Sequence, residues 1–353
     1  MTWLAISDGR QCHRQPGPEF RGALVPVGSL LIEVQLQGER RGGVTLLELE
    51  RDTGWRHRLA VTLAPEGGLV VEHRQGAAVS VATLREPRLM ANETLRLTWS
   101  WNAPARRGVL TAENTASGRL EQTLFDAPLP LPVEDVEALI TGGAGVRLNP
   151  GLSVLAVSDE IEPVGPMPGF LSGSWVETAA GARPVEQLRP GDLVVTAERG
   201  LQPVRHAVAR DVPAVGEFRP VRLRAPYFGL RTDLNLAPHH RVMIDGSDAE
   251  YLFGVDTVLV EARHLGPMTG RPSDPEAQVV RYHQIVLDGH ACLMVAGTWA
   301  ESLYLGQLAR RPARHASSVL AHVPAEAIPV HEEIAGPLLK PFEAMVLVSN
   351  LCA

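Results

Sequence analysis

Gly169-Phe-Leu-Ser-Gly-Ser-Trp-Val-Glu-Thr178, continuing through Arg183-Pro-Val-Glu186 and Leu188 to Pro190-Gly-Asp-Leu-Val-Val-Thr196, is the stretch that decides the fold of this 353-residue chain. Arg189-Pro-Gly-Asp192 has the composition of a tight turn, and Leu193 to Thr196 is the short apolar strand that the turn feeds. The stretch begins on a residue with no side chain. Gly169 therefore offers nothing that can attack a carbonyl, whatever its neighbours supply.

Just upstream, Glu162-Pro-Val-Gly-Pro-Met-Pro168 places three prolines in seven residues, the composition of an extended connector. The chain is long enough for two domains, each with its own core. We therefore read residues 1–162 as one domain, 163–168 as the linker, 169–306 as a second domain and 307–353 as an extension packed on it.

The first domain shows short alternating apolar runs, among them Leu30-Leu-Ile-Glu-Val-Gln-Leu36, Val44-Thr-Leu-Leu-Glu-Leu-Glu50 and Arg58-Leu-Ala-Val-Thr-Leu63. In Leu95-Arg-Leu-Thr-Trp-Ser-Trp101 the period of two puts Leu95, Leu97, Trp99 and Trp101 on one face of a strand. Gln37-Gly38, Arg41-Gly-Gly43, Glu66-Gly-Gly68 and Asn102-Ala-Pro104 read as the turns between runs. Many strands at this spacing predict an antiparallel β-sandwich, with one short helix over Val133 to Leu139 before Thr141-Gly-Gly143. Leu95–Trp101, the turn after it and Val109–Glu113 resemble the meander of a concanavalin-like jelly roll. Such folds often bind carbohydrate, but fold alone gives no sugar site. The overall class expected is all-β.

Composition narrows the partners. Hydrophobic residues make up 45% and charged residues 21%, as in ordinary globular proteins, and the formal net charge is −7. That charge argues against nucleic acid as a general partner, and Arg40-Arg41, Arg106-Arg107 and Arg310-Arg311 read as solvated surface. A protein or a glycan is the partner class left. Cys12, Cys292 and Cys352 are odd in number and widely spaced, so they spell neither a disulfide framework nor a zinc knuckle. No window approaches the roughly 18 consecutive apolar residues of a membrane span. The opening Met1-Thr-Trp-Leu-Ala-Ile-Ser-Asp8 lacks the form of a secretory signal, so a cytoplasmic location is the default expectation, with export by another route open.

From Gly169 to about residue 306 the chain resembles the Hint domain, the fold shared by hedgehog autoprocessing domains and inteins, in its bacterial single-module branch. Three blocks carry the resemblance. The first is the stretch quoted above with Gly200-Leu-Gln-Pro-Val-Arg205, although His206 stands where the branch commonly has Trp. The second is Leu234-Asn-Leu-Ala-Pro-His-His-Arg-Val-Met-Ile244 with Glu250-Tyr-Leu-Phe-Gly254 and Val258 to Leu265. The third runs from Val280 through Tyr282, Asp288, His290 and Gly297 to Glu301-Ser302.

In the family's reaction, as the resemblance implies it, a Cys at the first position attacks the preceding carbonyl while a Thr-x-x-His block works on the scissile amide. Here Gly169 takes the nucleophile's position, Ala237 that of the Thr or Ser, and His240 that of the His. Inteins end on His-Asn, whereas this chain reads Glu301-Ser302 and continues to residue 353. Loss of a nucleophile costs on the order of a million-fold in protease turnover. The resemblance therefore implies a degenerate domain that acts as a folded binding module, with His240 as its vestigial amide-activating group and Asp288 and His290 as further site positions. Two alternatives stay open: slow autoproteolysis at Pro168–Gly169 assisted by His240, and carbohydrate binding by the first domain. Ser172 and Ser174 sit too far along to form the same ring on the Pro168 carbonyl.

No cofactor and no metal is expected. His239, His240, His283, His290 and Cys292 contain the right ligand types for zinc, but their spacing does not enforce convergence. Read as strand neighbours, His239 and His240 face opposite ways. Cys292 reads as a small buried hydrophobe, and Asp288 as a residue that fixes a turn or a backbone amide. In the extension, His331-Glu-Glu333 lacks the second His of a metalloprotease motif, and Ala344-Met-Val-Leu-Val348 reads as a closing strand or a packing segment.

Overall fold

The computed structural model describes residues 3–20, 22–35, 43–52, 54–65, 68–85 and 93–351. The turns expected at Gln37-Gly38, Arg41-Gly42 and Glu66-Gly67, the pair Arg40-Arg41, and Cys352 lie outside the described residues. The chain divides into two compact units, residues 1–165 with 215–217 and residues 166–214 with 218–353.

The first unit is a β-sandwich of a seven-stranded and a five-stranded sheet whose pairings are antiparallel. Its strands follow from alternation. In Val27–Gln35, Leu30, Ile32 and Val34 turn one way into the core, and in Thr94–Asn102 so do Leu95, Leu97, Trp99 and Trp101. Leu47, Leu49, Leu59, Val61, Leu69 and Val71 of the five-stranded sheet belong to the same core, so the two sheets close face to face. The chain returns to earlier strands rather than pairing only in sequence, as Val27–Gln35 lies between Thr94–Asn102 and Leu152–Ser158, giving a jelly-roll-like layout. The Trp101 indole is buried without penalty because its Nε1 donates to Val25 O at 2.9 Å.

The helix is present as Val133–Thr141. Val133, Val136, Leu139 and Ile140 recur at helical spacing and pack on the sandwich core. Gly142 ends it in the left-handed region at φ 66°, and Gly143 N–H returns to Ala138 O at 2.9 Å.

The second unit is also mainly β, with six- and eight-stranded sheets around a separate core that includes Phe170, Leu236, Val242, Ile285 and Leu293. The Arg189–Asp192 turn is built by Asp192, whose Oδ2 accepts Arg189 N–H at 2.8 Å, and it feeds the strand Leu193–Thr196. Thr178 and Thr196 close two similar turns, each hydroxyl donating to a carbonyl ahead of it, Gly181 O at 2.6 Å and Gly200 O at 2.7 Å.

Of the two readings of the extension's last apolar run, the packing segment holds and the strand does not. Ala344 to Val348 is part of the helix Pro341–Leu351, with Ala344, Leu347 and Val348 in the second unit's core. Proline at the first position and a Glu343 carboxylate accepting Lys340 N–H at 2.7 Å start the helix there. No helix among the described residues is long and apolar enough to cross a membrane.

Candidate functional site

Backbone bonds bring together the three positions at which the sequence departs from or keeps the expected chemistry. Gly169 O accepts Ala237 N–H at 2.8 Å, and Ala237 O accepts His240 N–H at 3.0 Å. Gly169 precedes the short strand Phe170–Leu171, which lies between Leu234–Leu236 and Val279–Val286. His239 and His240 are not strand neighbours, since Pro238 turns the chain ahead of the strand Arg241–Asp245. The turn still separates them. His240 is 1% exposed, whereas His239 is partly exposed and reaches Met167 O.

The His240 ring lies on Gly169. A Cβ at position 169 would fall on His240 Nδ1 and 2.6 Å from its Cγ, well inside contact distance. The ring also meets Phe170, with 4.4 Å between centroids. The place where a side chain at position 169 would begin is thus filled by imidazole.

Behind His240 sits a buried polar cluster. Gln284 Nε2 donates to Glu301 O at 3.0 Å and lies 3.4 Å from His240 Nδ1. Glu301 accepts Arg241 N–H at 3.0 Å, pairs with its guanidinium at 3.3 Å, and lies 3.2 Å from His290 Nε2. His290 Nδ1 accepts Ala335 N–H at 2.8 Å, so the ring proton is on Nε2 and points at Glu301 and Ser302 O. Because Gln284 presents an N–H to His240 Nδ1, that nitrogen acts as an acceptor, and the proton sits on Nε2, which has no partner among the described residues.

These surroundings set the charges. Burial holds the His240 pKa down at about 3 against the opposing pull of Glu301, so the ring is neutral near neutrality. Burial alone would raise Glu301, but the His290 hydrogen bond and the Arg241 charge override it and hold the carboxyl at about 2. A neutral imidazole whose Gly169-facing nitrogen is an acceptor has no proton there to give a departing amine.

The remaining sequence candidates fall elsewhere. Asp288 neither fixes a turn amide nor joins the buried cluster: it is exposed and grips Arg205 through two 2.6 Å bonds. His283 bonds Ser172 at 2.9 Å, and Cys292 is fully buried in the strand Cys292–Val295. Among the described residues no group of three or more His, Cys, Asp or Glu side chains is placed to hold a metal ion. Sequence reasoning passed over Gln284, Arg241 and Glu301 as members of the cluster. A polar Gln directly before the apolar run Ile285–Leu287 was the available signal.

Residues 168–307 match the family model of the Hint domain. No curated protein matches the chain. Among solved structures, the CBM40 module of a Ruminococcus gnavus sialidase, bound to α2,3 sialyllactose, is 15% identical over 45% of this chain and 90% of its own, with a TM-score of 0.30. A leech intramolecular trans-sialidase is 10% identical over 51% of this chain and 32% of its own, at 0.29. Scytalido-glutamic peptidase is 10% identical over 46% of this chain and 66% of its own, at 0.20. Likenesses of this size pass no ligand or activity to the present chain.

Proposed function

We propose that the Hint domain of residues 168–307 does not process its own chain and serves as a folded interaction module joined to a β-sandwich. The observation that carries this reading is the His240 ring seated where a side chain of residue 169 would begin. Self-processing needs a nucleophile, a proton donor for the leaving amine and polar groups for the oxyanion. Gly169 supplies no nucleophile. Ala237 supplies no hydroxyl, and the imidazole nitrogen against Gly169 faces the Gln284 donor as an acceptor. Meanwhile the strands and turns of the domain are built in full, which supports a role for the fold itself.

The test is the intact mass of the purified chain. It should remain one species of 38.1 kDa through long incubation, with or without added thiol or hydroxylamine. Fragments parted at Pro168–Gly169, absent from a His240→Ala variant, would overturn the reading in favour of slow assisted cleavage.

A further inference from the structure

A second pair of groups lies outside the Gly169 cluster. Ser172 Oγ is 2.9 Å from His283 Nε2, within the reach that a nucleophile and its base require. Backbone geometry fixes the pair: Phe170 is in register with His283, and Ser172 N–H donates to Arg281 O at 3.2 Å. Ser172 is exposed while His283 is only 9% exposed, so the hydroxyl faces solvent and the base behind it is held in place. The serine opens on a shallow groove lined also by Ser174, Trp175, Asp233 and Asn235. Trp175 is 51% exposed and offers an apolar face.

The next amide is already engaged. Gly173 N–H, directly after the serine, donates to Glu186 Oε2 at 2.9 Å. A tetrahedral oxyanion at Ser172 takes this donor only when the exposed Glu186 side chain swings away from it. Burial lowers the His283 pKa, opposed by the nearby Glu186 and Asp211 charges and reinforced by Arg281, which leaves the ring unprotonated at neutral pH.

We propose that Ser172 and His283 form a nucleophile and base pair that accepts an acyl group from a small neutral ester bound beside Trp175. Ser172 Oγ forms a bond to the ester carbonyl carbon as its proton passes to His283 Nε2. The ester C–O bond then breaks, and the leaving alcohol takes that proton, leaving acyl-Ser172. Water, deprotonated by the same imidazole, releases the acid and restores the hydroxyl. This activity does not depend on Gly169 or on the state of the Hint reaction.

The full chain is incubated with p-nitrophenyl acetate, nitrophenol release is followed, and the acetyl group is located by peptide mapping. Lys340, the chain's one lysine, is the main competing amine besides the N-terminus. The expected result is acetyl on Ser172, its loss in Ser172→Ala, and acylation slowed roughly 100-fold in His283→Gln. In the unaltered chain the rate should fall in acid with a midpoint below 6.5, the ordinary histidine value. Acetyl only at Lys340 or the N-terminus, equal release by Ser172→Ala, or a rate that does not fall in acid would each overturn the assignment. Ser172 is exposed, so its alanine variant reads the chemistry without disturbing the core.

Discussion

At the residue scale, Gly169 and His240 act as one unit. A methyl group at position 169 must displace the imidazole from a site bounded by Phe170 and Gln284. Gly169→Ala should therefore cost about 1–3 kcal/mol, the usual range for overpacking a filled core. His240→Ala opens the same space, so the double variant should recover much of that loss. Urea titrations of the four proteins measure the coupling, and strictly additive losses would show that the two residues do not compete for one place. The same histidine predicts a pH dependence. Its pKa in the folded chain, about 3, lies below the unfolded value of 6.5, so between these values the unfolded chain binds more protons. The stability that depends on neutral His240 is complete above pH 6.5 and is lost as pH falls toward 3. Glu301, held near 2, adds an acid loss in the same direction below its ordinary 4.5. Relative to His240→Leu, the native chain should lose on the order of 3 kcal/mol between pH 6.5 and pH 4. Parallel stability curves for the two proteins would contradict this.

At the element scale, the strands were legible and the last helix was not. Leu95, Leu97, Trp99 and Trp101 could be placed because a period of two names both the strand and its inward face, and all four are buried. The helix Val133–Thr141 was legible from its stops, a proline before and two glycines after. Ala344 to Val348 is five apolar residues in a row, which carries no period, so length and capping had to decide. The buried cluster was half legible. Gly169, Ala237 and His240 stand at motif positions, whereas Gln284 and Glu301 reach His240 and its neighbour Arg241 only through side-chain contacts across long sequence separations. Asp288 was misplaced because a motif position says nothing of an arginine as remote in sequence as Arg205. The helix Pro341–Leu351 gives a prediction of its own. Leu347 is fully buried in the second unit's core, so Leu347→Ala should destabilise that unit by about 2–5 kcal/mol. Thermal melting checks it, and an unshifted transition would mean that the helix adds nothing to the core.

At the scale of the whole molecule, the proline-rich connector was the most readable feature, because composition alone separates the two alternating halves. One hydrophobic cluster draws its residues from between Leu4 and Val157, and another from between Phe170 and Val348. What composition could not give was the fate of the chemistry, since a missing nucleophile and a filled site look the same in a sequence. The difference has a historical consequence. The glycine codons GGT and GGC differ from cysteine codons by one base, so a lineage that carries either at position 169 stands a single mutation from a thiol. With His240 seated over that position, the mutation leads first to a less stable intermediate that still lacks a hydroxyl at Ala237 and a proton for the leaving amine at His240. Selection for stability would remove the intermediate, and the packing of one imidazole would act as a ratchet on the descent of the domain.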